Sequence, residues 1–241
     1  MTSVCQASCH PPKVAYKRYG VLPMSKVDIA VVDYGMGNLR SVSKAVEHVA
    51  AGKSVVVTSN AKVIQSAERV VFPGQGAMPD CMRELDARNL REAIIDAAKT
   101  KPFLGICIGM QLLFDHSEEG DTAGLGLFKG NVKRFADKLV DEKGEKLKVP
   151  HMGWNQVYQT SNSQKLAHAL WAGIADATRF YHVHSYYAAP QDNDVTEGET
   201  EYPSRFTSAI ARDNIFATQF HVEKSAAAGL QLLSNFVNWK P

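Results

Sequence analysis

Four short, almost wholly apolar runs recur along the first half of the chain: DIAVVD from Asp28, SVVVTS from Ser54, RVVFPG from Arg69 and FLGIC from Phe103. Runs this short and this rich in β-branched residues read as strands buried on both faces, and such strands lie parallel when crossover helices join them. The pattern predicts an α/β protein with a doubly wound, mostly parallel sheet and helices on both faces. One helix is expected from about Leu39 to Ala50, capped by Asn38, with Leu39, Val42, Val46 and Val49 facing inward; another is expected near residues 89 to 99. After Gly126 the texture changes, and KLKVP, NQVYQ, RFYHVHSYYA, TSAIAR and IFATQF predict antiparallel additions to the sheet. A last helix is expected from about Lys224 to Trp239, and QDNDVTEGETEYPS reads as a surface loop.

With 241 residues and 45% hydrophobic content the chain can bury a substantial core, and residues 25–241 show no linker that would divide them. Residues 1–24 have no periodicity and are expected to be a disordered extension. The 27 basic and 25 acidic side chains leave a net charge of +2, too little to pull the protein toward nucleic acid or an anionic membrane. No apolar run reaches the roughly 18 residues of a membrane span. Cys5, Cys9, Cys81 and Cys107 lack paired spacing and point to a reducing cytoplasm.

LGICIGMQLLF, residues 104–114, sets Cys107 between Gly105 and Gly109. G-x-C-x-G is the thiol counterpart of the G-x-S-x-G elbow, a strained strand-to-helix turn that lifts a nucleophile above the sheet. The glycines let neighbouring backbone pass, and N–H groups of a helix starting near Ile108 favour thiolate. In FHVEKS, His221 and Glu223 lie two apart at the end of an expected strand, where they would share a face. The carboxylate would fix the imidazole tautomer while the other ring nitrogen takes the thiol proton. Pro73, Gly74, Gln75 and Gly76 follow a strand and can turn a backbone N–H toward a tetrahedral oxyanion, with Ile108 N–H as second donor.

Two other motifs are weaker. Gly35 and Gly37 in DYGMGNLR suggest a dinucleotide fold, but Arg40 stands where the third glycine belongs, and no cofactor is expected. His182, His184 and His151 could face a metal together, yet no strong ligand spacing accompanies them; nor does it accompany Cys5, Cys9 and His10. The expectation is no metal, with the first three packed in the core or the site wall.

GICIGMQLLF, VFPGQGAMPD and FHVEKS resemble the triad class of glutamine amidotransferases. VVDYGMGNLRSV, VPHMGWNQV and YHVHSYYA narrow the resemblance to the glutaminase subunits of imidazole glycerol phosphate synthase in histidine biosynthesis. It covers roughly residues 26 to 240, with the six stretches in family order. It implies a flavodoxin-like sheet and a heterodimer with a (β/α)8-barrel cyclase subunit that receives ammonia from L-glutamine. Cys107 would be the nucleophile, His221 the general base and acid, and Glu223 its orienting carboxylate. Gly74, Gly76, Gln111, Ser185 and Tyr186 would hold glutamine; the Gly74–Gly76 segment, through Gln75 and Gly76, would supply an oxyanion donor beside Ile108. Asn38, Trp154, Tyr181 and Lys224 match interface positions. Val222 stands where the family usually has proline, which frees a backbone N–H. Two alternatives stand beside this reading: the same triad serving another acceptor, against which VPHMGWNQV argues, and a noncatalytic scaffold that binds the cyclase.

Overall fold

The structure, a computed structural model, describes residues 27–140, 144–160 and 167–241. The extension expected over residues 1–24, with Cys5, Cys9 and His10, lies outside them. The parallel half runs β1 (Ile29–Val32), α1 (Leu39–Val49), β2 (Val55–Thr58), α2 (Ala61–Ser66), β3 (Arg69–Phe72), α3 (Met78–Ala87), α4 (Arg91–Thr100) and β4 (Phe103–Ile106). There follow α5 (Ile108–Gln111), β5 (Phe114–Ser117), β6 (Thr122–Ala123), β7 (Phe128–Arg134), β8 (His151–Gln159), β9 (Thr178–His184), β10 (Tyr186–Pro190), β11 (Thr196–Glu201), β12 (Arg205–Arg212), β13 (Ile215–Thr218) and α6 (Ala226–Asn238).

The sheet is ordered β2-β1-β3-β4-β13-β12-β10-β7-β5-β6, and β11 joins β12 to a β8–β9 ribbon. Every pair from β2 to β13 is parallel, while β12 and β10 add antiparallel strands, as expected. Alternation along each strand splits the core in two. Val70, Phe72 and Phe103 face Leu85 and Ile94 of α3 and α4, whereas Val31, Val71 and Leu104 face Val42 and Val46 of α1 and Leu232 and Phe236 of α6. The Asn38 side chain accepts the Ser41 N–H, capping α1. Among the described residues no helix is long and apolar enough to cross a membrane.

Five local expectations fail, each for a physical reason. KLKVP forms no strand, only an isolated bridge from Lys146 to Val140, and Pro150 brings no N–H to a ladder. TEGETE is not loop but β11, because sheet bonding uses backbone that its polar side chains conceal; the Trp171 indole donates to the Glu197 carbonyl at 3.1 Å, inside the structure. RFYHVHSYYA is two strands broken at Ser185, and the last helix starts only after a 3-10 turn at Val222–Lys224. α5 is a single turn, since MQLLF is buried on all sides and a continuous apolar run does not distinguish helix from strand.

The two glycines flanking Cys107 are required by close approaches. A Cβ at Gly105 would lie 2.9 Å from the Ala217 Cβ and 3.0 Å from the Gly109 carbonyl oxygen, and one at Gly109 would overlap the carbonyl oxygen of Phe72. Gly109→Ala is expected to cost about 3 kcal/mol or to prevent folding. Gly52→Ala, whose Cβ would meet nothing within 4 Å at φ +77, should cost only about 1 kcal/mol of backbone strain. Urea denaturation of the two variants checks the contrast.

Candidate active site

β4 ends at Ile106, and the Cys107 N–H still donates to Thr218 O on β13 at 2.7 Å. The chain then turns at Cys107 itself, with φ +56 and ψ −112, a conformation that costs a residue bearing a Cβ on the order of 1–3 kcal/mol. The turn aims the sulfur into a cavity of about 390 Å³ lined by Gln75, Gly76, Cys107, Ile108, Gln111, Glu119, Val183, His184, Ser185, Tyr186, His221 and Lys224. Ile108 opens α5, so its N–H has no acceptor within the helix.

His221 reaches the sulfur from the neighbouring strand. β13 ends at Thr218, and the chain passes through Gln219 and Phe220 to His221, whose N–H is held by Tyr181 O at 2.9 Å. Strand alternation does not place Glu223, contrary to expectation; the 3-10 turn at Val222–Lys224 folds it back on His221. Nδ1 of His221 lies 2.8 Å from Glu223 Oε1, and the two side chains are only 3% and 1% exposed. Val222 buries its side chain in the core with this contact in place. Burial alone would lower the His221 pKa, but the adjacent Cys107 sulfur and the Glu223 carboxylate outweigh it and raise the pKa. Nε2 makes no hydrogen bond of regular geometry to a protein atom and is left for the thiol proton.

The glycine turn after β3 is braced from below. Burial pushes the Cys81 thiol up to about 11, so the sulfur keeps its proton and donates it to Gln75 O at 3.8 Å. The peptide is trans, which turns the Gly76 N–H the opposite way. Gly74 does not line the cavity; it lies against Tyr34 and Ile108, where a side chain would collide with both. Gly37 completes the brace: a Cβ there would come within 3.2 Å of Gly74 Cα.

Gln111, Ser185 and Tyr186 line the cavity as expected. Both Gln111 amide hydrogens are engaged, with Tyr186 O and Gln219 Oε1 at 3.0 Å each, so only its carbonyl oxygen is left for a ligand. Sequence reasoning missed Glu119, the cavity's carboxylate beyond the catalytic candidates, which also accepts the Met78 N–H at 2.8 Å at the start of α3. Its stretch, SEEGDT, reads as a plain polar turn. Of the expected interface residues, Trp154 (48% exposed) and Tyr181 pair across β8 and β9, their ring centroids 6.2 Å apart, and Lys224 Nζ sits 5.8 Å from the Tyr181 ring. Asn38 caps α1, a helix that packs against the 3-10 turn carrying Lys224.

His151, His182 and His184 come together as the sequence allowed, with candidate ligand atoms within 4.8 Å of one another. Hydrogen bonding assigns their protons. Tyr186 O accepts from His184 Nδ1 at 2.8 Å, so the His184 Nε2 lone pair accepts from His182 Nδ1 at 3.3 Å, and His151 Nε2 accepts from Asn155 at 3.3 Å. A metal would have to break two of these bonds, and the His151 and His182 rings are stacked rather than converging. The trio instead forms a wall packed on Phe206.

The comparisons with known proteins agree with this geometry. Residues 30–239 match the profile of the Glutamine amidotransferase class-I family, and the chain belongs to that family. It is 65% identical over 214 residues to the imidazole glycerol phosphate synthase subunit HisH of Dechloromonas aromatica (strain RCB), covering 88% of this chain and 97% of that one. It is 64% identical to the HisH subunit of Nitrosospira multiformis, covering 89% and 99%. Among solved structures, a Thermoplasma acidophilum protein described as part of a GMP synthase superposes with a TM-score of 0.63 at 16% identity, covering 88% of this chain and 93% of that one. A glutamine amidotransferase of Thermotoga maritima gives 0.53 at 16% identity, covering 84% and 79%. At those identities the two structures speak for the fold alone.

Burial lowers the pKa of His151 to about 4 and of His184 to about 3, and of His182 well below the usual value, with mutual charge repulsion adding to the last two. Unfolded histidines titrate near ~6.5, so below that pH the unfolded chain binds protons that the folded chain refuses. Stability should fall from about pH 6.5 toward pH 4, by up to about 1.4 kcal/mol per pH unit for each histidine. His182→Phe should flatten that slope and move the acid unfolding midpoint downward, as measured by urea denaturation across the same range.

Proposed function

We propose that the chain is the glutaminase subunit of imidazole glycerol phosphate synthase, acting in the cytoplasm. It hydrolyses L-glutamine to glutamate and ammonia and delivers the ammonia to a (β/α)8-barrel cyclase subunit. The observation that carries the reading is Cys107, held at a positive φ at the head of α5, beside a buried His221–Glu223 pair 2.8 Å apart. High identity to HisH subunits over nearly their whole length supports the choice of acceptor pathway over other amidotransferases.

The mechanism follows from the cavity. The cationic ammonium of glutamine is drawn to Glu119 and to the free carbonyl oxygen of Gln111, and its carboxylate to the turn at Ser185 and Tyr186. This directs the carboxamide at Cys107. The sulfur gives its proton to His221 Nε2 and attacks the amide carbon, and the oxyanion is received by the N–H groups of Gly76 and Ile108. Glu223, bonded to Nδ1, stabilises the imidazolium without taking its proton. His221 then protonates the leaving nitrogen, ammonia departs, and a thioester remains. A water that surrenders its proton to the same Nε2 releases glutamate and restores the thiol.

Exposed Trp154 and Lys224, with the half-buried Tyr181 between them, form an aromatic and cationic patch beside the cavity mouth, suited to an acidic partner surface. Asn38 is assigned to the same interface by resemblance.

Glutamate release is expected to be nearly silent for the chain alone and to appear when the cyclase and its nucleotide ligand are added. Cys107→Ala should abolish glutamine-dependent turnover, by about 10⁴-fold or more, while the cyclase still uses free ammonia. Retained glutamine turnover in that variant would show that the nucleophile lies elsewhere. Lys224→Glu should weaken association with the cyclase without shifting the melting temperature, checked by titration calorimetry and thermal denaturation.

A further inference from the structure

We propose that Gln219 is a positioning residue for the nucleophile: its side-chain amide donates a hydrogen bond to the Cys107 sulfur and holds the thiolate in place. The inference rests on the reading of Cys107 as nucleophile and adds a group that neither the triad nor the oxyanion donors include. Gln219 follows directly on β13, whose Thr218 carbonyl takes the Cys107 N–H at 2.7 Å, so the parallel pairing of β4 and β13 sets it beside the sulfur. Its side chain is fully buried, with Nε2 3.9 Å from Sγ. It does not line the cavity, so it acts on the sulfur rather than on substrate.

The direction of that amide is fixed. Gln111 Nε2 donates to Gln219 Oε1 at 3.0 Å, and a flip that presented oxygen to the sulfur would set two N–H groups against each other. The second hydrogen of Gln111 goes to Tyr186 O at 3.0 Å, in the turn that would hold the glutamine carboxylate. Two side-chain amides thus connect the substrate turn to the nucleophile.

The chemistry needs such a donor. Cys107 is 7% exposed, and a buried thiolate without donors is disfavoured. The imidazolium stabilises the thiolate only while it keeps its proton, which it surrenders to the leaving amine. A neutral amide donates throughout, including when thiolate departs from the thioester.

The test is the pH profile of Cys107 alkylation by iodoacetamide, followed by peptide-resolved mass spectrometry on the full chain, for wild type, Gln219→Met and Gln219→Glu. Loss of a hydrogen bond to a charged sulfur should raise the pH of half-maximal rate by about one unit in Gln219→Met, with an unchanged plateau rate. Gln219→Glu, which presents a carboxylate to the thiolate, should raise it further. kcat for glutamine in the cyclase complex should fall about tenfold with KM little changed. A residue that merely fills space would leave the alkylation profile in place, and a Gln219→Met profile superimposed on wild type overturns the proposal. Should Gln219→Met fail to fold, Gln219→Glu, nearly the same in shape, decides in the same way. Glutamine turnover surviving in Cys107→Ala would overturn the nucleophile assignment itself; loss of turnover there, with a superimposed Gln219 profile, overturns only the role of Gln219.

Discussion

The parallel pairing of β4 with β13 is the contact on which the site depends. The two strands come from opposite halves of the chain, and their register matches Ile106 to Thr218, so the residues immediately past their ends are Cys107 on one side and Gln219 to His221 on the other. A slip of one residue would turn His221 away from the sulfur. The register is protected by small residues: Ala217 lies opposite Gly105, and Gly109 lets the elbow press on the Phe72 carbonyl of β3. Strain at Cys107 persists because three central strands hold it from both flanks.

The antiparallel half does different work. β9 and β10 meet at Ser185, and that break creates the turn at the cavity wall, while His184, one residue before it, packs into the buried wall with His151 and His182. A neutral imidazole serves at His184 because it donates at one nitrogen and accepts at the other, satisfying the Tyr186 carbonyl without a buried charge. The same burial that makes the three histidines good wall material opposes their protonation.

The parallel half was legible in the sequence because DIAVVD, RVVF and FLGIC are buried on both faces and bounded by turns, so pattern and environment coincide. The elbow was legible because glycine on both sides of one cysteine marks a turn that neighbouring backbone must pass closely. β11 was not: TEGETE pairs through its backbone, and side-chain polarity says nothing of that. The contact between His221 and Glu223 was anticipated through the wrong geometry, since strand alternation and a 3-10 turn both bring positions i and i+2 within reach. Glu119 and Gln219 were missed for a common reason. Each acquires its place from a long-range contact, Glu119 with Met78 and Gln219 with Cys107 and Gln111, and nothing local distinguishes either from ordinary polar residues.

The same topology gives a physical basis for the proposed dependence on a partner. β9 carries Tyr181 on the exposed patch with Trp154, and the Tyr181 backbone carbonyl is the acceptor for the His221 N–H at 2.9 Å. The Tyr181 N–H donates to Ser225 Oγ at 3.0 Å, and the Ser225 hydroxyl donates in turn to His221 O. The proposed general base, His221, is therefore suspended by its own backbone from the strand that carries the proposed docking residue Tyr181. A partner that shifted β9 by a fraction of an ångström would move His221 relative to Cys107, whose position is set independently by β4. Displacements this small matter because proton transfer and attack fall steeply with misplacement. Coupling of this kind needs no long pathway: one or two hydrogen bonds separate the proposed docking residue Tyr181 from His221, and Cys107, the proposed nucleophile, sits on the other strand of the pair as the fixed reference.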